Sequence, residues 1–153
     1  GETLIYDKSK VLYGIYISKQ AISKTNKCFI VEGYTDVISM HQNGIENVVS
    51  ASGTALGTYQ IKLIKRSTNN VVLLFDGDKA GIQATIRSID LCLKAEMNVQ
   101  IASFPEGEDP DSYSKKLTTD KFQAYLAETA INFVDYLIHI YKLKEEKDPA
   151  KII

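Results

Sequence analysis

The sequence predicts an α/β fold: a four-stranded, mostly parallel sheet flanked by helices, with a helical appendage at the carboxy-terminal end. Three observations predict it. Two short apolar runs, Cys28-Phe29-Ile30-Val31 and Val71-Val72-Leu73-Leu74-Phe75, read as strands buried on both faces. Segments of helical spacing alternate with the strands, and the order strand, helix, strand, helix, strand, helix, strand requires a parallel sheet with right-handed crossovers. Both apolar runs also lead directly into acidic turns, Glu32-Gly33 and Asp76-Gly77-Asp78. An open α/β sheet places its chemistry there, beyond the carboxyl ends of the strands.

Taken in order, Leu12, Ile15 and Ile22 recur at helical spacing and predict a helix over 10–24, which Thr25-Asn26 ends. A strand follows over 27–31. Residues 35–42 form a helix that stops at Asn43-Gly44, a left-handed ending. Val48-Val49-Ser50 is a short strand opening into the loop 51–57, and a helix over 59–66 buries Ile61 and Ile64. The strand over 70–75 is followed by Ile82, Ile86, Ile89 and Leu93 at i, i+4, i+7 and i+11, one apolar stripe of an amphipathic helix. A last strand covers 98–103. Beyond Pro105 comes the acidic turn Glu106-Gly107-Glu108-Asp109-Pro110-Asp111, then short helices over 111–117 and 119–128 and a longer one over 131–144. The organisation is therefore a lead-in helix over 1–26, the α/β unit over 27–104, and an acidic loop with a helical subdomain over 105–153.

The 153 residues suffice for one domain with a real core, and 44% hydrophobic with 24% charged residues is ordinary globular composition. A formal net charge of −1 provides no global positive field toward polynucleotides, although a local basic strip is compatible with it. Cys28 and Cys92 lie among apolar residues, have no zinc spacing, and are expected to be reduced, buried thiols. No secretory leader and no apolar run of about 18 residues is present, so a membrane role is not expected and the cytoplasm is the default location. The start at Gly1 and the unpunctuated last segment lead us to expect cuts in a longer polypeptide at both ends.

Chemistry concentrates in the acidic turns. Glycine after Glu32 allows a sharp turn that lifts the carboxylate above the sheet edge. The two aspartates around Gly77 can bend toward one ion while the backbone passes close by. Several carboxylates converging without an arginine repel one another, and a divalent cation removes that conflict. Magnesium suits such a set, because it takes a few carboxylates, several waters and the phosphate oxygens of a substrate. Asp109 and Asp111 make a third acidic tip; with two or three cations, such a rim can steady the attacking and leaving oxygens of a phosphoryl displacement. Asp36 either caps its helix or reaches toward a cation. Gly53-Thr54 and Gly57-Thr58 offer donors to phosphate at a helix start, although no Walker-type lysine is present. Lys8, Lys10, Lys62, Lys65, Arg66, Lys79 and Arg87 are candidates for a basic border to a polynucleotide. His41 and His139 read as structural, and no nucleophile–base pair supports a serine or cysteine triad.

Four segments resemble, in order and spacing, the TOPRIM domain of bacterial DNA primases: Val31-Glu32-Gly33-Tyr34-Thr35-Asp36-Val37, Ala51-Ser52-Gly53-Thr54-Ala55-Leu56, Phe75-Asp76-Gly77-Asp78-Lys79-Ala80-Gly81 and Pro105-Glu106-Gly107-Glu108-Asp109-Pro110-Asp111. The segment from Tyr6 to Gly14 is similar to the stretch that enters this domain in primases. The resemblance is close over residues 2–113 and looser beyond. It implies a Rossmann-like sheet and the synthesis of short RNA primers on a single-stranded DNA template from ribonucleoside triphosphates. It further implies Glu32, Asp76 and Asp78 as catalytic metal-site acids, Asp109 and Asp111 as further metal ligands, and Lys8 beside the active site. Asp36, Gly53, Thr54, Lys79 and Lys10 become the nucleotide- and DNA-contacting residues. Mg2+ is the implied cofactor, with Mn2+ as a substitute. The zinc-binding domain of that family has no ligand set here, most of its basic subdomain is absent, and the module that meets the replicative helicase is missing. A fragment that folds and holds metal but primes poorly alone is the expectation.

Two other readings use the same residues. A topoisomerase or nuclease TOPRIM domain fits Glu-Gly and Asp-x-Asp, but not the Glu108-Asp109-Pro110-Asp111 segment with its flanks. A noncatalytic TOPRIM docking module differs in predicting tolerance of Asp78→Asn. A haloacid-dehalogenase-type phosphohydrolase wants Thr or Val where Ala80 stands.

Overall fold

The computed structural model describes residues 12–51 and 55–147. Its elements are α1 (Ile15–Thr25), β1 (Cys28–Val31), α2 (Tyr34–Gln42), β2 (Val48–Ser50), α3 (Thr58–Lys65), β3 (Asn70–Leu74), α4 (Lys79–Lys94), β4 (Asn98–Ile101), α5 (Pro110–Ser114), α6 (Thr119–Thr129), β5 (Ile131–Asn132) and α7 (Phe133–Lys147). The sheet order is β2-β1-β3-β4-β5, with the first four strands parallel and β5 antiparallel to β4. From β1 the chain moves outward to β2, whereas from β3 it moves the opposite way to β4. The carboxyl ends of β1 and β3 therefore flank the point where strand order reverses, the crevice that open α/β sheets use for ligands.

Alternation along the strands builds a core on each face. Cys28 and Ile30 of β1, with Val71 and Leu73 of β3, pack under α1, α3, α4 and α7. Val31, Val72 and Leu74 point the other way and pack against Val37 and Met40 of α2 and Phe122 and Leu126 of α6. Both free edges are covered. Tyr13 pairs with Ser50 outside β2 through N–H···O bonds of 2.7 and 3.0 Å, and β5 closes the far side. Among the described residues no helix is long and apolar enough to cross a membrane. Cys28 and Cys92 are free and buried, and burial pushes the Cys92 thiol up to about 12.

Four features differ from the sequence expectation. The first helix starts at Ile15, because Gly14 takes φ +88°, a left-handed turn that breaks the helix after the Tyr13 bridge. Lys10, expected inside that helix, lies outside the described residues. The sheet has five strands, because Ile131 and Asn132 pair with Ile101 and Gln100 before the last helix begins. Two residues between helices carry no strand periodicity. The strand over 98–103 is cut to four residues, and Phe104 turns into the core. Lastly, α4 is rotated about its axis. Gly81, Thr85, Ser88, Ile89 and Cys92 face the sheet, while Ile86 and Leu93 of the apolar stripe are 36% and 39% exposed. Small residues let the helix approach closely, and the Thr85 hydroxyl is satisfied by the Gly81 carbonyl at 2.8 Å.

Gly81 joins this packing to the acidic turn. A Cβ there would stand 1.9 Å from the Asp76 carbonyl oxygen, so only glycine lets α4 begin directly beneath the Asp76 peptide. Gly81→Ala is therefore expected to destabilise the chain by about 1–3 kcal/mol, the usual cost of overpacking, seen as a lower urea midpoint with an unchanged slope.

Candidate metal centre

Three loop tips meet at the strand-order reversal. Glu32 leaves β1, Asp76 and Asp78 leave β3, and Asp109 and Asp111 open α5 beyond β4. The tips are tied together by backbone donors. The Asp76 N–H donates to Glu32 Oε1 at 2.7 Å, and Ser50 Oγ donates to the Glu32 carbonyl at 2.8 Å. Asp78 is the N-cap of α4, its Oδ1 accepting from Gly81 N at 2.7 Å. Asp109 caps α5 in the same way, accepting from Ser112 N at 2.7 Å. The three carboxylates are each held through one oxygen, and among the described residues the other oxygen of each has no hydrogen-bond donor.

Asp36 lies buried on the first turn of α2. Its Oδ2 accepts from Gly33 N at 3.3 Å and its Oδ1 from Asp111 N at 3.2 Å, so one carboxylate caps its own helix and the start of α5. Of the two roles the sequence left open for Asp36, capping is thus occupied, and it extends to a second helix. Asp111 accepts from the Ser39 hydroxyl on Oδ1 and has Lys115 Nζ at 3.3 Å from that oxygen.

The electrostatics follow from this crowding. Burial, then the charges of Glu32, Asp109, Asp36 and Asp78, pushes the Asp76 carboxyl up to about 6. Burial also raises Asp36 to about 6, against the pull of the Asp111 N–H and with a further push from the Asp109 charge. Asp111 goes the other way, held below the ordinary carboxylate range by the Ser39 hydrogen bond and then by Lys115. Among the described residues, no lysine, arginine or histidine forms an ion pair with Glu32, Asp36, Asp76, Asp78 or Asp109.

This donor set fits a hard divalent cation: carboxylate oxygens only, mutually repelling, without a protein counter-ion among the described residues. Among those residues no group of three or more His, Cys, Asp or Glu side chains is placed to hold a metal ion. A magnesium ion, which favours waters and phosphate oxygens over a complete protein shell, does not need one. Next to Glu32 a cleft of about 380 Å3 has an apolar floor of Ile30 and Phe75, alanine walls at Ala80 and Ala84, and Arg87 on its rim.

The expected basic border is only partly assembled. Lys79 is the first residue of α4, beside Asp78, and Arg87 lines the cleft. Lys65 ends α3 and donates to the Ala95 carbonyl at the far end of α4, so Lys65 and Arg66 sit by the amino ends of the strands, away from the acidic tips. Lys8, Lys10, Gly53 and Thr54 lie outside the described residues. His41 lies 3.5 Å from Ser18 Oγ as part of the packing of α1 on α2, and His139 is exposed on α7. Sequence reasoning missed Ser39, whose only local signal is its position three residues after Asp36.

An α/β protein with an acidic centre at the strand-order reversal is the class that this fold and site define. Residues 29–114, more than half of the chain and all three tips, match the Toprim-like family, and the chain belongs to it. It is 42% identical over 139 residues to the DNA primase of Clostridium acetobutylicum, a match that takes in 90% of this chain and 23% of that protein. Among solved structures, a DNA primase domain from Pseudomonas aeruginosa superposes with a TM-score of 0.84 at 34% identity, over 94% of this chain and 46% of that one. A DnaG primase catalytic domain bound to ssDNA gives 0.81 at 34% identity, over 91% and 44%. The chain thus spans about a quarter of the length of its curated relatives.

The raised carboxyls set a pH dependence. A carboxyl whose folded pKa of about 6 exceeds the unfolded value near ~3.9 binds its proton more tightly when folded. Stability from Asp36 and Asp76 is then fully present below about pH 4 and lost as pH rises through 6. The metal-free chain should show a falling Tm between pH 4.5 and 7, and Asp76→Asn should flatten that slope in thermal denaturation followed by circular dichroism.

Proposed function

We propose that this chain forms the metal-binding half of a DNA primase active site, joining ribonucleotides on a single-stranded DNA template. The observation that carries the reading is the convergence of Glu32, Asp76, Asp78 and Asp109 at one crevice with no cationic partner among the described residues. The primase relatives, one of them solved with ssDNA, support it. In this reading Glu32, Asp76 and Asp78 hold Mg2+ or Mn2+, with Asp109 and Asp111, at the start of the helical segment 105–153, completing the rim. When bound, the ions neutralise charge on the transferring phosphoryl group and draw the reacting oxygens into line.

The chain's own residues supply the geometry. Glu32 keeps the β1 and β3 tips in register through the Asp76 N–H. The α4 cap fixes one oxygen of Asp78 on Gly81 and keeps the other available. Asp76 is largely ionised at neutral pH, so the crevice carries concentrated negative charge when a triphosphate and its cations arrive. Arg87 and Lys79 lie beside it to meet phosphate oxygens, with Lys8 and Lys10 as further contacts and Gly53 and Thr54 as donors. The 3′-hydroxyl oxygen of one ribonucleotide bonds to the α-phosphorus of the next, its proton leaves, and pyrophosphate departs. Contact with the replicative helicase belongs to parts of the relatives beyond this span, and a cytoplasmic location accords with replication.

Asp78→Asn tests the reading cleanly, because asparagine caps a helix as well as aspartate does. In the full-length protein, primer synthesis on single-stranded DNA is expected to fall about 100-fold or more with Tm unchanged. Activity within two-fold of the parent would favour a noncatalytic docking role.

A further inference from the structure

Helix α2 holds a pincer on the third acidic tip. Asp36 and Ser39 stand one turn apart on α2, both buried, at 6% and 4% exposure. Both engage Asp111, 75 and 72 residues away in the chain. Asp36 Oδ1 accepts the Asp111 N–H, which is an orphan donor in the first turn of α5. The Ser39 hydroxyl donates to Asp111 Oδ1. One residue is thus gripped by its backbone and by its side chain from the same helix face. Lys115 adds an exposed contact of 3.3 Å, and such exposed pairs are worth little. Among the described residues no other side chain bonds to the Asp111 carboxylate.

The grip is the polar part of the contact between α2 and α5, whose apolar part is the core around Phe104 and Tyr113. The loop after β4 runs out through Phe104 and Pro105 and returns at Asp109. Near its start the Tyr125 hydroxyl donates to the Ser103 carbonyl at 2.5 Å; among the described residues its remaining side-chain ties are local, Asp109 with Ser112 and Glu108 with Ser112 and Lys116. Asp36 also holds Gly33, directly after Glu32, so the β1 tip and the α5 start hang on adjacent turns of one helix.

We propose that Ser39 is a positioning residue of the metal centre: its hydroxyl aims the Asp111 carboxylate and, with Asp36, sets the spacing between the first and third acidic tips. This rests on the metal reading above. Ser39 itself touches no ion or substrate in it. A hydroxyl is required for the role, since alanine leaves Oδ1 of Asp111 with only the solvated Lys115, and the carboxylate regains the freedom to rotate. Outer partners of metal ligands of this kind change metal affinity by about 10–100-fold when removed.

The test is Mn2+ binding to the 153-residue chain, read by electron paramagnetic resonance of the free ion, with circular dichroism checking the fold of each variant. Ser39→Ala is expected to weaken Mn2+ binding about ten-fold, and Ser39→Thr, which keeps the hydroxyl, to restore it. In an Asp111→Ala background, which removes the acceptor of the Ser39 hydroxyl, Ser39→Ala should have no further effect. Glu32→Gln serves as the control for the metal reading and should weaken binding whatever Ser39 does. If Ser39→Ala binds Mn2+ within two-fold of the parent while Glu32→Gln is impaired, the positioning role is overturned and the metal centre stands. The positioning role is likewise overturned if Ser39→Ala weakens binding equally with and without Asp111→Ala. If Glu32→Gln has no effect, or the parent takes up no Mn2+, the metal reading fails and the inference goes with it.

Discussion

Like charge held against its own repulsion is the constraint on which this structure depends. Five carboxylates from the three loop tips and α2 are close enough that four of them raise the proton affinity of the fifth, Asp76. Nothing in side-chain electrostatics favours that arrangement. It persists because the backbone enforces it: the peptide N–H groups of Asp76, Gly81, Asp111 and Ser112 each fix a carboxylate oxygen, and each belongs to a tip that the packed sheet already places. The fold stores an electrostatic conflict that a cation would relieve. Backbone amides are suited to this task because they orient a carboxylate without cancelling its charge, as an arginine would.

The topology explains why the conflict falls where it does. Reversal of strand order between β1 and β3 opens the crevice, and the two tips beside it belong to the central strands of the sheet. Gly81 then lets α4 start immediately under the Asp76 peptide. On the other face, α2 ties the β1 tip to the β4–α5 loop through Asp36. The acids of the rim and the core packing are thus linked by contacts one residue long, and a change in the packing of α2 or α4 reaches the rim directly.

Much of this was legible in the residues. The apolar runs ending at Val31 and Phe75 marked the central strands, and the acids after them come together at the strand-order reversal, because strand burial and loop chemistry are both local signals. What escaped depended on contacts between distant segments. The rotation of α4 turned on Thr85, Ser88 and Cys92 fitting closer to the sheet than the isoleucine stripe, a matter of helix–sheet distance that periodicity cannot report. The two-residue β5 exists only because Ile101 and Gln100 offer it a partner. Ser39 gained meaning only from Asp111, 72 positions away. The basic border looked continuous in the chain because spacing does not say which end of a helix lies at which edge of the sheet, and the Lys65–Ala95 contact put one cluster at the far end.

The most direct measurement is the titration of the Asp76 side-chain carboxyl by 13C NMR, with and without Mg2+. A stored charge conflict predicts a midpoint near pH 6 for the metal-free chain and a marked downward move when Mg2+ is added, as the ion takes over the charge that burial and neighbouring acids resist. A midpoint in the ordinary carboxylate range near ~4, unmoved by Mg2+, would contradict it.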